Sequence, residues 1–521
     1  MVFRSPYPDV EIPDVTLHEL LFGDIADRAG RVALIDGTSG ASLTYGQLAG
    51  AIDRMAAALA ARGIGKGDVV GILSPNTPYY AVVFHGILRA GATATTINAL
   101  YTPDEVAHQL RDAGAKMLFT VSVLLPNAAP GAEKAGVTDV VVLDGAEGYP
   151  SLPELLANEH PVPEVEIDPA EDVAVLPYSS GTTALPKGVM LTHRNLVANI
   201  LQCQPILTDT GENTRILAVL PFFHIYGMQV LMNNGLYVGG VVVTLPRFDL
   251  PEFLRVIAEH RTDVVYIAPP VAVALAKHPI VDNYDLSPLK TLFSGAAPLD
   301  EDLAAAVNKR IGCRVVQGYG MTEMSPVSHA IPVAREDISV GTVGLIVPNL
   351  ECRLVDPATG QDVGVGDRGE LWCRGPNVMK GYLNNPEATA ATLDSDGWLH
   401  TGDVAVIDDK GVVSIVDRVK ELIKYKGYQV PPAELEAVLL THDEIADAAV
   451  IGVRDADGEE VPKAFVVRQP GSEIDADAVM AFVAANVAPH KKVRVVEFIE
   501  AVPKSAAGKI LRKDLRAREQ S

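Results

Sequence analysis

In the stretch YSSGTTALPKGVMLTH, from Tyr178 to His193, serines, threonines, glycines and a lysine crowd together before an apolar segment resumes. Such a loop can hold phosphate oxygens with backbone N–H groups and hydroxyls, while a lysine adds a point charge. The candidate cradle is Ser179, Ser180, Gly181, Thr182 and Thr183, with Lys187 as its cation. It is not a Walker A loop, because Lys187 precedes Gly188 instead of following the second glycine. Taken alone, Ser, Thr and Gly between a strand and a helix also make an ordinary turn.

Four further stretches carry groups suited to a nucleotide. GYGMTE closes a predicted strand and offers Thr322 and Glu323 to phosphate and a divalent ion. HTGDVAVID sets Asp403 in a tight glycine turn, an acceptor for two adjacent ribose hydroxyls. VDRVKELIKYKGYQVPPAELE packs Arg418, Lys420, Lys424 and Lys426 close together, and PKSAAGKILRKDLR presents Lys509 on a glycine hinge. Overall charge makes these cations informative. The formal net charge is −23, so an anionic substrate must be met by local positive charge. The same field repels nucleic acid and anionic lipid, and neither is an expected partner. A solvated face is the usual fate of a lysine cluster, but it is a weaker account in so acidic a chain.

In this order and spacing the five motifs resemble the adenylate-forming enzymes: acyl-CoA synthetases, firefly-type luciferases and peptide-synthetase adenylation domains. The resemblance runs from about Leu43 to Leu515. PFFHIYG, SGAAPL, GYGMTE and PKSAAGKILR are most similar to the 4-coumarate–CoA ligase branch and its bacterial cinnamate-type members. It implies ATP, Mg²⁺ and coenzyme A as cofactors and substrates, with a carboxylic acid as the group activated. The acid attacks the α-phosphate to give an acyl-adenylate and pyrophosphate, and the CoA thiol then displaces AMP. Cinnamate-type acids are the expected substrates. A medium-chain fatty acid, or an acceptor other than CoA (a carrier protein or oxygen), is the alternative.

The resemblance also assigns roles. Lys509 bridges the carboxylate and the α-phosphate, where positive charge is needed because two anions meet; composition alone reads it as part of a basic tail. His224 lies where the acid meets ATP, although a lone histidine beside aromatics is commonly a bonded core residue. Glu323 ligates Mg²⁺, against the alternative of an acid at a helix N-terminus. Asp403 and Arg418 bind the ribose, the alternative being a surface ion pair. Gln317, Gly318, Tyr319 and Thr322 line the nucleotide, and Thr322 doubles as a candidate helix cap. The C-terminal domain pivots at Lys420. Lys424 and Gln429 serve the second half-reaction, while Lys426, Gly427 and Arg247 contact CoA. Tyr226, Val230, Ala296, Ala297, Gly318, Pro326 and Val327 line the acyl pocket. Two departures from the family stand out: Ala184 stands where glycine is usual, and Met324 and Ser325 replace smaller residues at the expected pocket floor.

The elements that must position these groups follow from patterning. Thr44 opens a helix carrying Leu48, Ile52, Met55 and Leu59 on one face, stopped by Gly63. Thr102, Pro103 and Glu105 form a second helix start. Strands are predicted at DVVGIL, TATTI, KMLFTV and DVVVLD, then, after a Pro/Glu-rich connector around 151–170, at DVAVLPY, RILAVLPFF, VVVTLP, TDVVYIAPP, KTLFSGA and RVVQGYG. Strands and helices alternating at this spacing imply α/β architecture with helix-covered parallel sheets. Frequent turns from about 343 to 417 suggest a β-rich subdomain, and the last hundred residues a small α+β domain, which the resemblance implies is mobile. The expected division is 1–417, an AMP-binding adenylation domain, and 418–521. Cys203, Cys313, Cys352 and Cys373 contain no C-x-x-C pair and read as buried thiols. The N-terminus lacks a signal peptide's apolar core and no run reaches membrane-spanning length, so the expected location is cytoplasmic.

Overall fold

The computed structural model describes residues 1–179, 186–207, 211–425, 428–455, 460–505 and 508–519, with backbone only at 428 and 429. Helix starts follow the sequence chemistry. Thr44 and Thr102 accept from the backbone N–H of Gln47 and Glu105, whose side chains reach back to the cap nitrogens. These capping boxes open the helices Tyr45–Ala61 and Pro103–Asp112. Leu48, Ile52, Met55 and Leu59 are wholly buried.

Two large sheets form the N-terminal part. A seven-stranded sheet runs in the order Gly381–Tyr382, Lys187–Thr192, Val173–Ser179, Thr93–Thr96, Val69–Leu73, Ala115–Thr120, Asp139–Val142. A nine-stranded sheet has Arg314–Gly320, Thr291–Ser294, Val264–Ile267, Arg215–Ala218, Val241–Thr244 and Val32–Asp36 as its parallel middle, with antiparallel strands at both edges. The parallel strands are nearly continuous Val, Ile and Leu because helices cover both faces. A five-stranded antiparallel sheet, Phe3–Arg4 to Val413–Arg418, makes the β-rich subdomain. One apolar core links all three, and its buried members end at Val413. Separate apolar clusters run from Ile423 to Val493 and from Ala449 to Leu515. They pack the helices Pro432–Leu440 and Ala476–Asn486 against strands Ile445–Arg454, Glu460–Arg468 and Val495–Phe498.

Two local expectations change. The Ser/Thr/Gly segment does not join a strand to a helix. Val173–Ser179 runs antiparallel to Lys187–Thr192 with Ser179 opposite Lys187, and the helix His193–Cys203 starts only after that second strand. Pairing with a neighbour on each side makes GVMLT a strand, a long-range cause that its length alone does not reveal. Asp403, expected in a turn, lies within the strand Leu399–Ile407. Gly402, at φ +73°, marks the register slip against Gly369–Arg374. All four cysteines are free and buried. No described helix is long and apolar enough to cross a membrane.

Candidate active site

The carboxyl ends of the parallel strands, the Ser179/Lys187 hairpin and a loop of the C-terminal domain converge on one site. Glu323 sits in the single 3₁₀ turn Thr322–Met324, just beyond strand Arg314–Gly320, and is 6% exposed. Its Oε1 accepts from the Tyr382 hydroxyl at 2.7 Å and from Ser179 Oγ at 3.3 Å. Lys187 Nζ stands 4.2 Å from the centre of the Tyr382 ring. Ser180, Gly181, Thr182, Thr183 and Ala184 lie outside the described residues. Among the described residues both hydrogen bonds to the Glu323 carboxylate fall on one oxygen, which leaves the other to an ion. One hard carboxylate near a lysine fits Mg²⁺, which takes most of its ligands from phosphate and water. A helix dipole does not explain this acid, because its turn spans three residues.

Asp403 is 8% exposed. Tyr319 donates its hydroxyl to Asp403 Oδ2 at 2.6 Å, and Arg418 Nε lies 3.4 Å from Oδ1 across the paired strands. The pair exists, but burial of the carboxylate removes it from the class of surface ion pairs. Charge-assisted acceptance by a buried carboxylate is worth about 1.5–3 kcal/mol per bond. D403A is therefore expected to raise the KM for ATP by about 10- to 100-fold, measured at saturating acid.

Lys509 reaches this site from the C-terminal domain. Gly508, at φ +79°, lets the chain turn there, and a Cβ on it would stand 3.0 Å from Ala268 Cβ of the other domain. Ser505 ties the loop: it donates its N–H to Lys509 O at 2.8 Å, and its hydroxyl accepts from Lys509 N at 3.2 Å. Burial, with the Arg418 guanidinium, brings the Lys509 ammonium down to about 8, against the opposing pull of Asp403 and Glu323. His224 shares the same field. Burial and the Lys509 charge lower it to about 4, so it is neutral at neutral pH. Its Nδ1 accepts from Tyr226 N at 3.2 Å, which puts the proton on Nε2. Asn76 carries the segment before it, donating to Ala218 O and Leu220 O and accepting from Phe222 N. His224 is thus both a bonded residue and a site residue.

Tyr226 and Val230 lie buried on a π-type helix, Tyr226–Asn233. A Cβ on Gly295 would stand 2.8 Å from the Tyr226 ring, and one on Gly318 2.9 Å from Phe293. Gly318 and Gly320 pair with Ala330 and Val327. Ala296 is exposed at φ +70°, Ala297 and Val327 are half-buried, and Pro326 is buried.

Other expectations are redirected. Gln317, expected to line the nucleotide, has its amide taken up by backbone. Its Nε2 donates to Leu299 O at 3.1 Å and its Oε1 accepts from Leu299 N at 3.1 Å, so it braces the loop behind the site. Thr322 is the first residue of its turn and not the cap, which is Met321. Met324 is wholly buried in the main core and Ser325 donates to Asn377 O at 2.8 Å, so neither side chain forms an open pocket floor. Lys420, Lys424 and Arg247 are exposed; Lys424 pairs backbone with Gln429 in a hairpin. Lys426 and Gly427 lie outside the described residues. Tyr382 was not foreseen: GYLNN has no compositional signal, and only pairing of Gly381–Tyr382 with Lys187–Thr192 brings it in.

Comparison with known proteins agrees with this geometry. The model of the family described as "AMP-binding enzyme" matches residues 22–383, and that of its C-terminal domain residues 434–509. The chain is 45% identical to 4-coumarate–CoA ligase 3 of Oryza sativa subsp. japonica, over 99% of this chain and 95% of the relative. Among solved structures it is similar to the anthranilate CoA ligase AuaEII in complex with anthranoyl-AMP, with TM-score 0.90 and 27% identity over 98% of each chain. ATP-bound MatB from Rhodopseudomonas palustris gives TM-score 0.88 and 30% identity over 98% of this chain and 99% of that one. The family match over most of the chain and the full-length identity to the Oryza sativa relative mean that the chain belongs to the AMP-binding enzyme family.

Proposed function

We propose that this enzyme, an ATP-dependent, AMP-forming acid–CoA ligase, takes cinnamate- or 4-coumarate-type acids. The observation that carries the reading is Lys509, seated by the C-terminal domain among Asp403, Arg418, Glu323 and His224. In this arrangement Asp403 and Arg418 hold the ribose, and Ser179 with Lys187 meets the outer phosphates. Glu323 is the residue that would hold Mg²⁺, which supplies charge neutralisation on the triphosphate when bound. Lys509 draws the substrate carboxylate and α-phosphate together and offsets the charge that develops as the carboxylate oxygen attacks phosphorus. Neutral His224 borders the meeting point as a hydrogen-bond donor through Nε2.

The division proposed is 1–417 and 418–521, supported by the separation of apolar clusters between Val413 and Ile423. A rotation of the smaller domain about Lys420 would bring Lys424 and Gln429 to the second half-reaction and Lys426 and Gly427 to CoA. The acyl wall of Tyr226, Val230, Gly318 and Val327, apolar and floored by glycine, suits a flat ring.

AMP release and acyl-CoA formation, measured with ATP, Mg²⁺ and CoA across cinnamate, 4-coumarate, benzoate, octanoate and palmitate, test the proposal. The expected result is highest kcat/KM for the cinnamates. A preference for octanoate replaces the substrate class with medium-chain acids. Adenylate without thioester replaces CoA with another acceptor.

A further inference from the structure

Tyr382 touches both charged partners of the phosphate end. Its hydroxyl donates to Glu323 Oε1 at 2.7 Å, and its ring lies 4.2 Å under Lys187 Nζ. It is 5% exposed, and its backbone is fixed twice over: Tyr382 N donates to Thr389 Oγ1 at 2.9 Å, and Tyr382 pairs with Val189. Gly381 before it sits at φ +148°, where a Cβ would stand 2.9 Å from Thr389 Cγ2. The backbone of the same segment binds the Glu323 turn, with Met379 N donating to Glu323 O at 2.9 Å.

A lysine and a carboxylate in one enclosed site attract each other strongly, and a direct pair would consume both. A phenol between them prevents this without adding charge. Its hydroxyl satisfies one carboxylate oxygen, and its ring face holds the ammonium by cation–π attraction. We propose that Tyr382 is a positioning residue for adenylation, a spacer that keeps Lys187 free for the triphosphate and Glu323 Oε2 free for the metal ion. The inference rests on the adenylating role proposed above.

Two binding measurements, one cycle and the rates of the two half-reactions test it. ATP affinity is read by calorimetry in Mg²⁺ and in EDTA, without acid or CoA. Y382F keeps the ring and loses the hydroxyl. It is expected to weaken Mg·ATP binding about tenfold, as for loss of one charge-assisted bond, and to leave metal-free ATP binding unchanged. Equal weakening under both conditions, or none under either, overturns the proposal. Y382L removes the ring as well, so Lys187 is expected to pair with Glu323 and metal-free ATP binding to fall too. If Y382L does not fold, Y382F still carries the test.

In the cycle with E323Q, the hydroxyl deletion is expected to add no further loss of Mg·ATP affinity. Additive losses mean that Tyr382 does not act through Glu323, and overturn the proposal. Pyrophosphate exchange in Y382F is expected to slow, while thioester formation from supplied acyl-adenylate keeps its rate; equal slowing of both overturns it. Absence of acid-dependent AMP release from the unaltered enzyme is a separate outcome and removes the adenylation reading itself.

Discussion

K509A is expected to slow acyl-adenylate formation by about 10²–10³-fold, as for removal of one pre-aimed group that stabilises developing charge. Thioester formation from supplied acyl-adenylate and CoA is expected to remain. Lys509 stands in the field of Arg418, Asp403 and Glu323, the groups proposed to surround the nucleotide. K509R tests geometry against charge: guanidinium keeps the charge but changes length and shape, so recovery is expected to be partial. Pyrophosphate exchange isolates the first half-reaction, and a rate unchanged by K509A would remove Lys509 from it.

The pH profile gives an independent measure. Lys509 is brought down to about 8 by burial. It is charged below that pH and neutral above, so kcat/KM for ATP, which reports the free enzyme, is expected to fall as pH rises through about 8. Bound triphosphate favours the ammonium, so kcat for adenylation is expected to persist to higher pH. The stability sign runs the other way. The folded value lies below the ordinary 10.5, so between about 8 and 10.5 the unfolded chain holds more protons at this group. Its contribution to stability therefore rises with pH across that window.

R512A is expected to destabilise the C-terminal domain by about 3–5 kcal/mol, the cost of leaving a buried carboxylate without its cation. Arg512 Nη2 donates to both oxygens of Glu436 at 2.7 Å, and its Nε to Val450 O at 3.2 Å. Both side chains are well enclosed, at 15% and 10% exposure. Burial raises Glu436 above its ordinary 4.5, with Arg512 opposing the shift. Without Arg512 the carboxyl is expected to rise further. A raised acid favours the folded state below the unfolded pKa and loses that contribution as pH rises through the folded value. The deficit of R512A is therefore expected to be larger at pH 8 than at pH 5, read from hydrogen exchange across 434–509. An equal deficit at both pH values would point to lost packing of the arginine stem instead. Because Arg512 follows Lys509 by three positions, loosening here is expected to cost adenylation before thioester formation.

Local chemistry determined much of the scaffold. Thr44, Thr102 and their partners three residues on specify helix starts through bonds that need no distant neighbour, and the apolar face of Tyr45–Ala61 fixes which side is buried. The parallel strands are legible because burial on both faces demands unbroken apolar runs. The motif residues Glu323, Asp403, Arg418 and Lys509 were legible as charged groups of the right type, and their resemblance to a family supplied the roles.

Tertiary structure alone decided where those charges face. Asp403 is a buried carboxylate and not a surface partner because Tyr319, distant in sequence, donates to it. Lys509 belongs to the site and not to a basic tail because a separate core places its loop against Ala268. Gln317 turned out to be a brace because both ends of its amide find the backbone of Leu299. Tyr382 has no signal in its own neighbourhood, since its role comes from strand pairing that sets one phenol between Lys187 and Glu323. The division has one physical reason. Caps and periodicity are interactions over three or four residues, whereas pairing and dehydration of charges depend on chain segments that meet only when the sheets and the second domain are assembled.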